Sequence, residues 1–187
     1  MSVATAPTRV YAGFPEDIDF TLYDTQPYKS GKTSELSFFG TESENPNLEE
    51  RNVLGGPTKI FKCMEIQIGY LWRGLTPVAT LMIKDLTELV RYGYVYVEID
   101  ANEHTKRSLG GWHLSELFPG GDYGLLTLLF GIKDAAPEKK GKKLGVPFML
   151  NPLEKVKLVI KWPSPIKLQT GPWDIQARMV GFARRCM

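Results

Sequence analysis

The chain has 187 residues, of which 43% are hydrophobic and 24% are charged, and this ordinary globular composition excludes an intrinsically disordered protein. Its 23 basic and 21 acidic residues give a net charge of +2, which is too small to require nucleic acid or an anionic membrane as a partner. No stretch of about 18 apolar residues is present, so no membrane-spanning helix is predicted. The first residues lack the basic stretch and apolar core of a signal peptide, so we expect synthesis and folding in a cytoplasm.

The first third of the chain predicts an arm, two strands and a long loop. Residues 1–15 are small, polar and interrupted by proline, which predicts an extended arm that is ordered only when something else holds it, ahead of a single domain over residues 16–187. Apolar and polar residues alternate from Ile18 to Tyr23, which is the period of a half-buried strand. A second short strand is predicted from Ser34 to Phe39, and the glycines, prolines and asparagines of residues 41–57 predict a long loop.

The clearest pattern in the chain is a long strand over residues 58–73. Alternate positions along one face are apolar, and Lys62 interrupts that face near its start. Because side chains alternate between the two faces of a strand, Ile66 and Ile68 share a face and are both predicted to be buried. The predicted apolar face consists of Ile60, Met64, Ile66, Ile68, Tyr70 and Trp72.

The second half of the chain predicts one helix and several further strands. Residues 80–92 carry an apolar stripe at helical spacing, and Gly93 follows as a C-terminal cap. Tyr94 to Asp100 is rich in β-branched and aromatic residues and predicts a strand, whereas residues 101–123 predict an irregular stretch. The remaining predictions are a strand or short core helix from Leu125 to Ile132, a charged loop from Asp134 to Lys143, and strands from Val156 to Trp162 and from Trp173 to Phe182.

These elements predict an all-β fold. Seven or eight strands without regular intervening helices favour an antiparallel β-sandwich or barrel over a parallel sheet. The single short helix and several long loops are therefore expected to be additions to a sandwich.

Residues that could carry chemistry are few and scattered. His104 and His113 are the only histidines, and no set of ligands has the spacing of a zinc site. Cys63 lies in an apolar run and Cys186 is next to last, so two free thiols are predicted. No nucleophile elbow or phosphate-binding loop is present. We therefore predict no catalytic residue, no cofactor-binding residue and no metal ligand, and we expect that the protein is not an enzyme.

Three further groups are each open to a functional and to a structural interpretation. Glu65 on one strand, and Glu98 with Asp100 on another, would act as paired acids only if they faced each other across a cleft. The lysine cluster described below is either a solvated loop or a weak phosphate contact, because no aromatic residues interleave with it. Trp112 and Trp173 lie beside glycine or proline and either pack beneath loops or contact partners and sugars. The lysine cluster consists of Lys139, Lys140, Lys142 and Lys143.

A series of short motifs runs through nearly the whole chain in a fixed order. A phenylalanine-bearing segment follows the first strand, glycine–proline turns precede the long strand, and the last strand ends on a basic pair. The motifs are Ser34 to Gly40, Asn47-Leu48, Gly55-Gly56-Pro57, Lys59-Ile60-Phe61, Leu117 to Gly120, Gly145 to Phe148, Leu150 to Leu153, Trp162 and Val180 to Arg185. In this order they resemble the single jelly-roll coat proteins of tailless icosahedral viruses of bacteria and archaea, many of which enclose a membrane.

The resemblance implies a fold of two four-stranded sheets packed face to face and a function based on surfaces. It implies a virion protein, made in the host cytoplasm, that assembles with copies of itself into capsomers of an icosahedral shell. Minor capsid proteins are the further partners it implies, with an internal membrane beneath the shell in many members, and no sequence-specific nucleic acid. The alternatives are a carbohydrate- or ligand-binding β-sandwich, an enzyme of a β-sandwich family, and a tail, spike or secretion-system part.

Overall fold

The computed structural model describes residues 17–40, 59–74, 79–102, 105–117, 142–151 and 154–185. This part of the chain forms eight strands and two helices. In chain order they are β1 (Asp17–Tyr28), β2 (Glu35–Phe38), β3 (Lys59–Trp72), α1 (Ala79–Tyr92), β4 (Tyr94–Asn102), β5 (Thr105–His113), α2 (Leu114–Leu117), β6 (Lys142–Leu150), β7 (Lys155–Lys161) and β8 (Trp173–Arg185).

The strands form two four-stranded sheets. Sheet A has the order β1-β8-β3-β6 and sheet B has the order β2-β7-β4-β5. Every pair of neighbouring strands runs antiparallel. The pairing is also nested, because β1 pairs with β8, β2 with β7, β3 with β6 and β4 with β5. The structure therefore confirms the predicted all-β antiparallel sandwich.

The core consists of the inward-facing side chains of both sheets, which follow the period of two expected of strands. In sheet B, Val95, Val97 and Ile99 of β4 are fully buried, and in sheet A so are Ile175 and Met179 of β8. Other large side chains that are fully buried include Leu22, Phe38, Phe61, Leu114, Leu117, Leu150, Leu158 and Ile160.

Strand β3 buries two different sets of alternate residues. A β-bulge separates Cys63 from Glu65, so Phe61 and Cys63 point into the core before it, whereas Ile66 and Ile68 point into the core after it. The prediction that both isoleucines are buried is confirmed, at 0% exposure. The prediction of one apolar face beginning at Ile60 and interrupted by Lys62 was wrong. The bulge at position 64 changes which alternate residues of β3 point into the core. Before the bulge the buried residues are Phe61 and Cys63, so Lys62 between them is exposed.

Two strands lie in stretches where no strand was predicted. β5 occupies the stretch that was predicted to be irregular, and β6 includes Lys142 and Lys143, which were predicted to end a loop. The four-residue helix α2 adds to the single predicted helix. β1 also extends past its predicted end at Tyr23 and includes Pro27, which is tolerated because β1 is an edge strand of sheet A.

Helix α1 and residues 162–172 together close one end of the sandwich, which we call the helical end. The carboxylate of buried Asp85 accepts hydrogen bonds from the backbone N–H groups of Gln169 and Thr170 and from the Thr170 hydroxyl. The Trp162 indole donates to the Leu89 carbonyl at 2.9 Å. These contacts fix the connection between β7 and β8 to the helix. Neither described helix is long and apolar enough to cross a membrane.

Several predictions concern residues outside the described part of the chain. They are the arm over residues 1–15, the loop over residues 41–57 and the apolar segment from Leu125 to Ile132. His104, Lys139, Lys140 and Cys186 also lie outside it.

Candidate functional site

The carboxylates considered as a catalytic pair lie on different sheets. Glu65 lies on β3 in sheet A, and Glu98 and Asp100 lie on β4 in sheet B. Their chain neighbours Ile66, Val97 and Ile99 point into the core between the sheets, so the three acids lie on the outer faces. The whole sandwich therefore separates Glu65 from the other two, and no cleft brings them together.

His113 is exposed at the end of β5 and contacts one aromatic ring. Its imidazole lies 4.3 Å from the ring of Tyr94, measured between centroids, and its backbone N–H donates to the Glu116 carboxylate at 3.3 Å. Within the described residues, no group of three or more His, Cys, Asp or Glu side chains is placed to hold a metal ion. Cys63 is buried, and this burial raises the pKa of its thiol to about 12. Such a thiol stays protonated and unreactive at neutral pH.

The two tryptophans singled out in the sequence have different surroundings. Trp173 is 4% exposed, and its indole N–H donates to the Thr170 hydroxyl at 3.2 Å, so it belongs to the helical end. Trp112 is half-buried on β5, and its ring lies over Gly110, whose φ of 96° favours glycine. A Cβ at position 110 would lie 2.2 Å from the Trp112 ring, so glycine is needed there for the ring to occupy this place.

The Trp112 ring lines an apolar groove between two edge strands, β5 of sheet B and β6 of sheet A, which we call the β5–β6 groove. Its volume is about 610 Å³. In the pairing of β6 with β3, Phe148 lies opposite Cys63 and Lys143 lies opposite Glu65. The four residues 144–147 between them therefore have only one residue of β3, Met64, opposite them. Within this irregular stretch the Val146 side chain is 85% exposed, and Met149, which pairs with Lys62 of β3, is 48% exposed. The apolar lining consists of Leu109, Trp112, Leu144, Val146, Pro147, Phe148 and Met149.

The charged residues that line the β5–β6 groove are Arg107 and Lys143, and both are basic. Arg107 already pairs with Glu154 at 2.8 Å, whereas the side chain of Lys143 is exposed. Of the predicted lysine cluster, the structure thus places Lys142 and Lys143 in a strand, with Lys143 at the wall of an apolar groove.

The outer face of sheet B carries a second, polar cavity of about 440 Å³. Strand β4 presents Tyr94, Tyr96, Glu98 and Asp100 on this face, and all of these except Tyr96 are in register with lysines of β7. Burial raises the pKa of Tyr96, and the nearby carboxylates of Glu35 and Glu98 act in the same direction. Charged and polar residues that line the cavity are Gln26, Glu35, Ser37, Glu98, Asp100, Lys155 and Lys157.

Sequence reasoning identified two residues of the β5–β6 groove as candidate contacts, Trp112 and Lys143, and missed the others. Nothing in the sequence marked Val146 or Met149 as contact residues, because single apolar residues are common on protein surfaces and their clustering depends on the strand register. Comparison of the chain with protein-family models, curated proteins and solved structures gives no match.

Proposed function

We propose that this protein is a structural coat subunit with a single jelly-roll fold. A jelly roll is a double sheet of eight strands formed from two Greek keys, and it occurs in viral capsid proteins and in lectins. The nested pairing of β1 with β8, β2 with β7, β3 with β6 and β4 with β5 supports this fold. The order of sequence motifs that resembles the viral coat proteins supports the choice of function within it.

The observation that carries the proposal is the β5–β6 groove. Exposed apolar patches with a polar rim mark protein–protein contact sites, because leaving them in water is unfavourable. The 85% exposure of the Val146 side chain is expected in a protein whose copies pack against one another at this surface. The scattered carboxylates and the isolated His113 also fit a role based on surfaces rather than on a reaction centre.

In this proposal, copies of the chain form capsomers of an icosahedral shell in a virion. Minor capsid proteins are further partners, and an internal membrane beneath the shell fits the same arrangement. The net charge of +2 fits a subunit that does not itself read nucleic-acid sequence.

The test is the state of the purified full-length chain. Size-exclusion chromatography followed by negative-stain electron microscopy is expected to show capsomers or shells. A protein that stays monomeric at all concentrations, without particles, would contradict the proposal.

A second candidate function is carbohydrate binding on the outer face of sheet B. Tyr96 lies near the carboxylate of Glu98 on this face, and an aromatic ring with polar groups suits a sugar ring. One carboxylate oxygen of Asp100 is buried and has no hydrogen-bond partner among the described residues, so it could accept from a ligand hydroxyl. A monomer that binds immobilised glycans, and loses binding with Tyr96→Ala, would favour this candidate.

A further inference from the structure

The polar cavity of about 440 Å³ on the outer face of sheet B, which we call the sheet B cavity, is lined by charges of both signs. We propose that this cavity binds a short neutral saccharide, held between two acids of β4 and two lysines of β7. This inference rests on the second candidate function and deepens it, because it gives the ligand a place and a charge class. The four charged residues are Glu98, Asp100, Lys155 and Lys157.

The sheet B cavity arises where β2 ends before the neighbouring strand does. β2 pairs with β7 only as far as Phe38, which lies opposite Leu158. Phe39 then adopts a φ of 62°, and its backbone N–H donates to the buried carboxylate of Asp24 at 2.8 Å. This left-handed conformation turns the chain away from the direction of β2. The first residues of β7 therefore border a cavity, which Gln26 of β1 lines from the other sheet.

The charged residues of the cavity lie opposite one another without forming ion pairs. Glu98 is in register with Lys157, and Asp100 is in register with Lys155. Cross-strand neighbours of this kind have Cβ atoms about 5 Å apart, which is close enough for an ion pair. Among the described residues, however, neither lysine forms an ion pair with either acid. Two carboxylates and two ammonium groups can therefore all contact a ligand.

Asp100 gives the most direct indication that the cavity holds a hydrogen-bond donor. One oxygen of its carboxylate is buried and has no hydrogen-bond partner among the described residues. Lys106 of β5 also lies opposite Asp100 in the register, yet the buried oxygen is without a partner. Burying such an oxygen without a donor is unfavourable. A ligand that donates a hydrogen bond at this point would remove the penalty.

The balance of charge favours a neutral ligand. The two lysines of β7 balance the two acids of β4, and Glu35, the remaining acid of the lining, pairs with Lys161 at 3.4 Å. A cation or an anion would therefore meet repulsion as well as attraction. A hydroxyl group can donate to a carboxylate and accept from an ammonium group at the same time. A ring with several hydroxyls thus suits both sides of the cavity, whose volume lies in the range of sites for small ligands.

Titration of the full-length protein with the methyl glycosides of glucose, galactose, mannose and N-acetylglucosamine tests the inference. Saturation-transfer NMR and calorimetry are expected to detect specific binding of at least one of them. The corresponding amino sugar and uronic acid, which carry a positive and a negative charge, are expected to bind no more tightly. Absence of binding by all four glycosides, or binding of a charged analogue that is at least about tenfold tighter, would overturn the inference.

Two substitutions in the cavity have matched controls on the outer face of sheet A. Asp100→Ala and Lys157→Met should each weaken binding at least about tenfold, because each removes hydrogen bonds to a charged group. Asp19→Ala and Lys62→Met replace exposed residues of the other sheet and should leave binding unchanged. Binding that neither cavity variant weakens would overturn the inference.

Stability provides a readout that a purely structural role of Asp100 would not give. Because its buried oxygen has no partner, Asp100→Ala should keep or raise the melting temperature while it weakens binding. A lower melting temperature would show that Asp100 stabilises the fold. Lys157→Met then decides, since unchanged saccharide binding in a folded Lys157→Met variant would overturn the inference.

Failure of this inference can be told apart from failure of the functions proposed above. Saccharide binding that is lost with Tyr96→Ala but kept with Asp100→Ala and Lys157→Met would reject the cavity and leave the second candidate function standing. Shells in negative-stain images of the same protein, without saccharide binding, would reject the site and leave the coat function standing.

Discussion

The helical end and the β5–β6 groove differ in how far the chain itself covers and pairs their side chains. At the helical end, the Tyr28 hydroxyl both accepts a hydrogen bond from the backbone N–H of Ile166 and donates one to its carbonyl, and buried Asp85 accepts from the same connection. At the groove, apolar side chains such as Val146 are left exposed. One region thus pairs its polar groups within a single chain, whereas the other leaves apolar side chains exposed, as the proposed assembly would require.

The comparison predicts that core and helical-end substitutions affect folding and that groove substitutions affect association. The largest expected effect is at Ile66, which is fully buried in β3. Ile66→Ala should lower the free energy of unfolding by about 2 to 5 kcal/mol through lost burial and a residual cavity. Gln67→Ala, next to it on the outer face, should change it by less than about 0.5 kcal/mol. Urea denaturation of both variants checks this, and equal losses would mean that the face assignment is wrong.

Asp85→Asn should have the next largest effect. With its oxygen in the place of Oδ2, the amide places its NH2 group in the place of Oδ1, where it faces the Gln169 N–H, so two donors oppose each other in a largely buried site. The hydrogen bonds from Thr170 to the remaining oxygen also lose their charged acceptor. We expect a loss of about 1.5 to 3 kcal/mol, the usual range for hydrogen bonds to a charged group. Glu88→Gln on the same helix is the control and should have little effect. Stability within about 0.5 kcal/mol of wild type would show that Asp85 does not hold the connection in place.

The buried thiol of Cys63 predicts a stability loss at alkaline pH. Burial raises its pKa from the ordinary value of 9.0 to about 12, so the unfolded chain releases the thiol proton at a lower pH than the folded chain. The stabilisation is therefore complete below pH 9 and is lost as the pH rises from about 9 to about 12. Cys63→Ala should show a smaller decrease than wild type between pH 8 and pH 11, each variant being compared with its own value at pH 8. Parallel curves for the two proteins would contradict the assignment to Cys63.

The smallest expected effect is at the histidines. His113 is exposed and contacts the ring of Tyr94, so His104→Gln combined with His113→Gln should change stability by less than about 0.5 kcal/mol. Assembly of the double variant and of wild type should match from about pH 5 to about pH 8, the range in which histidine titrates. A sharp transition that occurs only in wild type would mean that the histidines control association.

The sequence predicted most of this fold because its strands follow simple periods. The buried pairs Ile66 with Ile68 and Val97 with Ile99 alternate as expected, and the predicted helix is present over Ala79–Tyr92. The alternation of apolar and polar residues failed to predict strands where the backbone is irregular. β5 contains Gly110 and Gly111, both with positive φ. β6 contains a glycine and a proline within the residues that face only Met64 of β3.

The candidate site was harder to predict for a related reason. Val146 is separated from Trp112 by more than 30 positions in the sequence, and the two meet only through the edges of different sheets. No local pattern encodes that meeting. The sequence also could not exclude the catalytic pair of carboxylates. Glu65 and Glu98 each lie on a predicted strand face, but the structure places the two residues on opposite sheets.

Sedimentation velocity of the purified full-length chain, with negative-stain images of the same sample, tests most directly whether the exposed groove serves self-assembly. Wild type should be compared with Val146→Gln in the groove and with Leu71→Gln at an exposed apolar site outside it. We expect capsomers or shells for wild type and Leu71→Gln, and folded monomers with near wild-type stability for Val146→Gln. Wild-type protein that remains monomeric, or Val146→Gln that assembles as wild type does, would contradict the account.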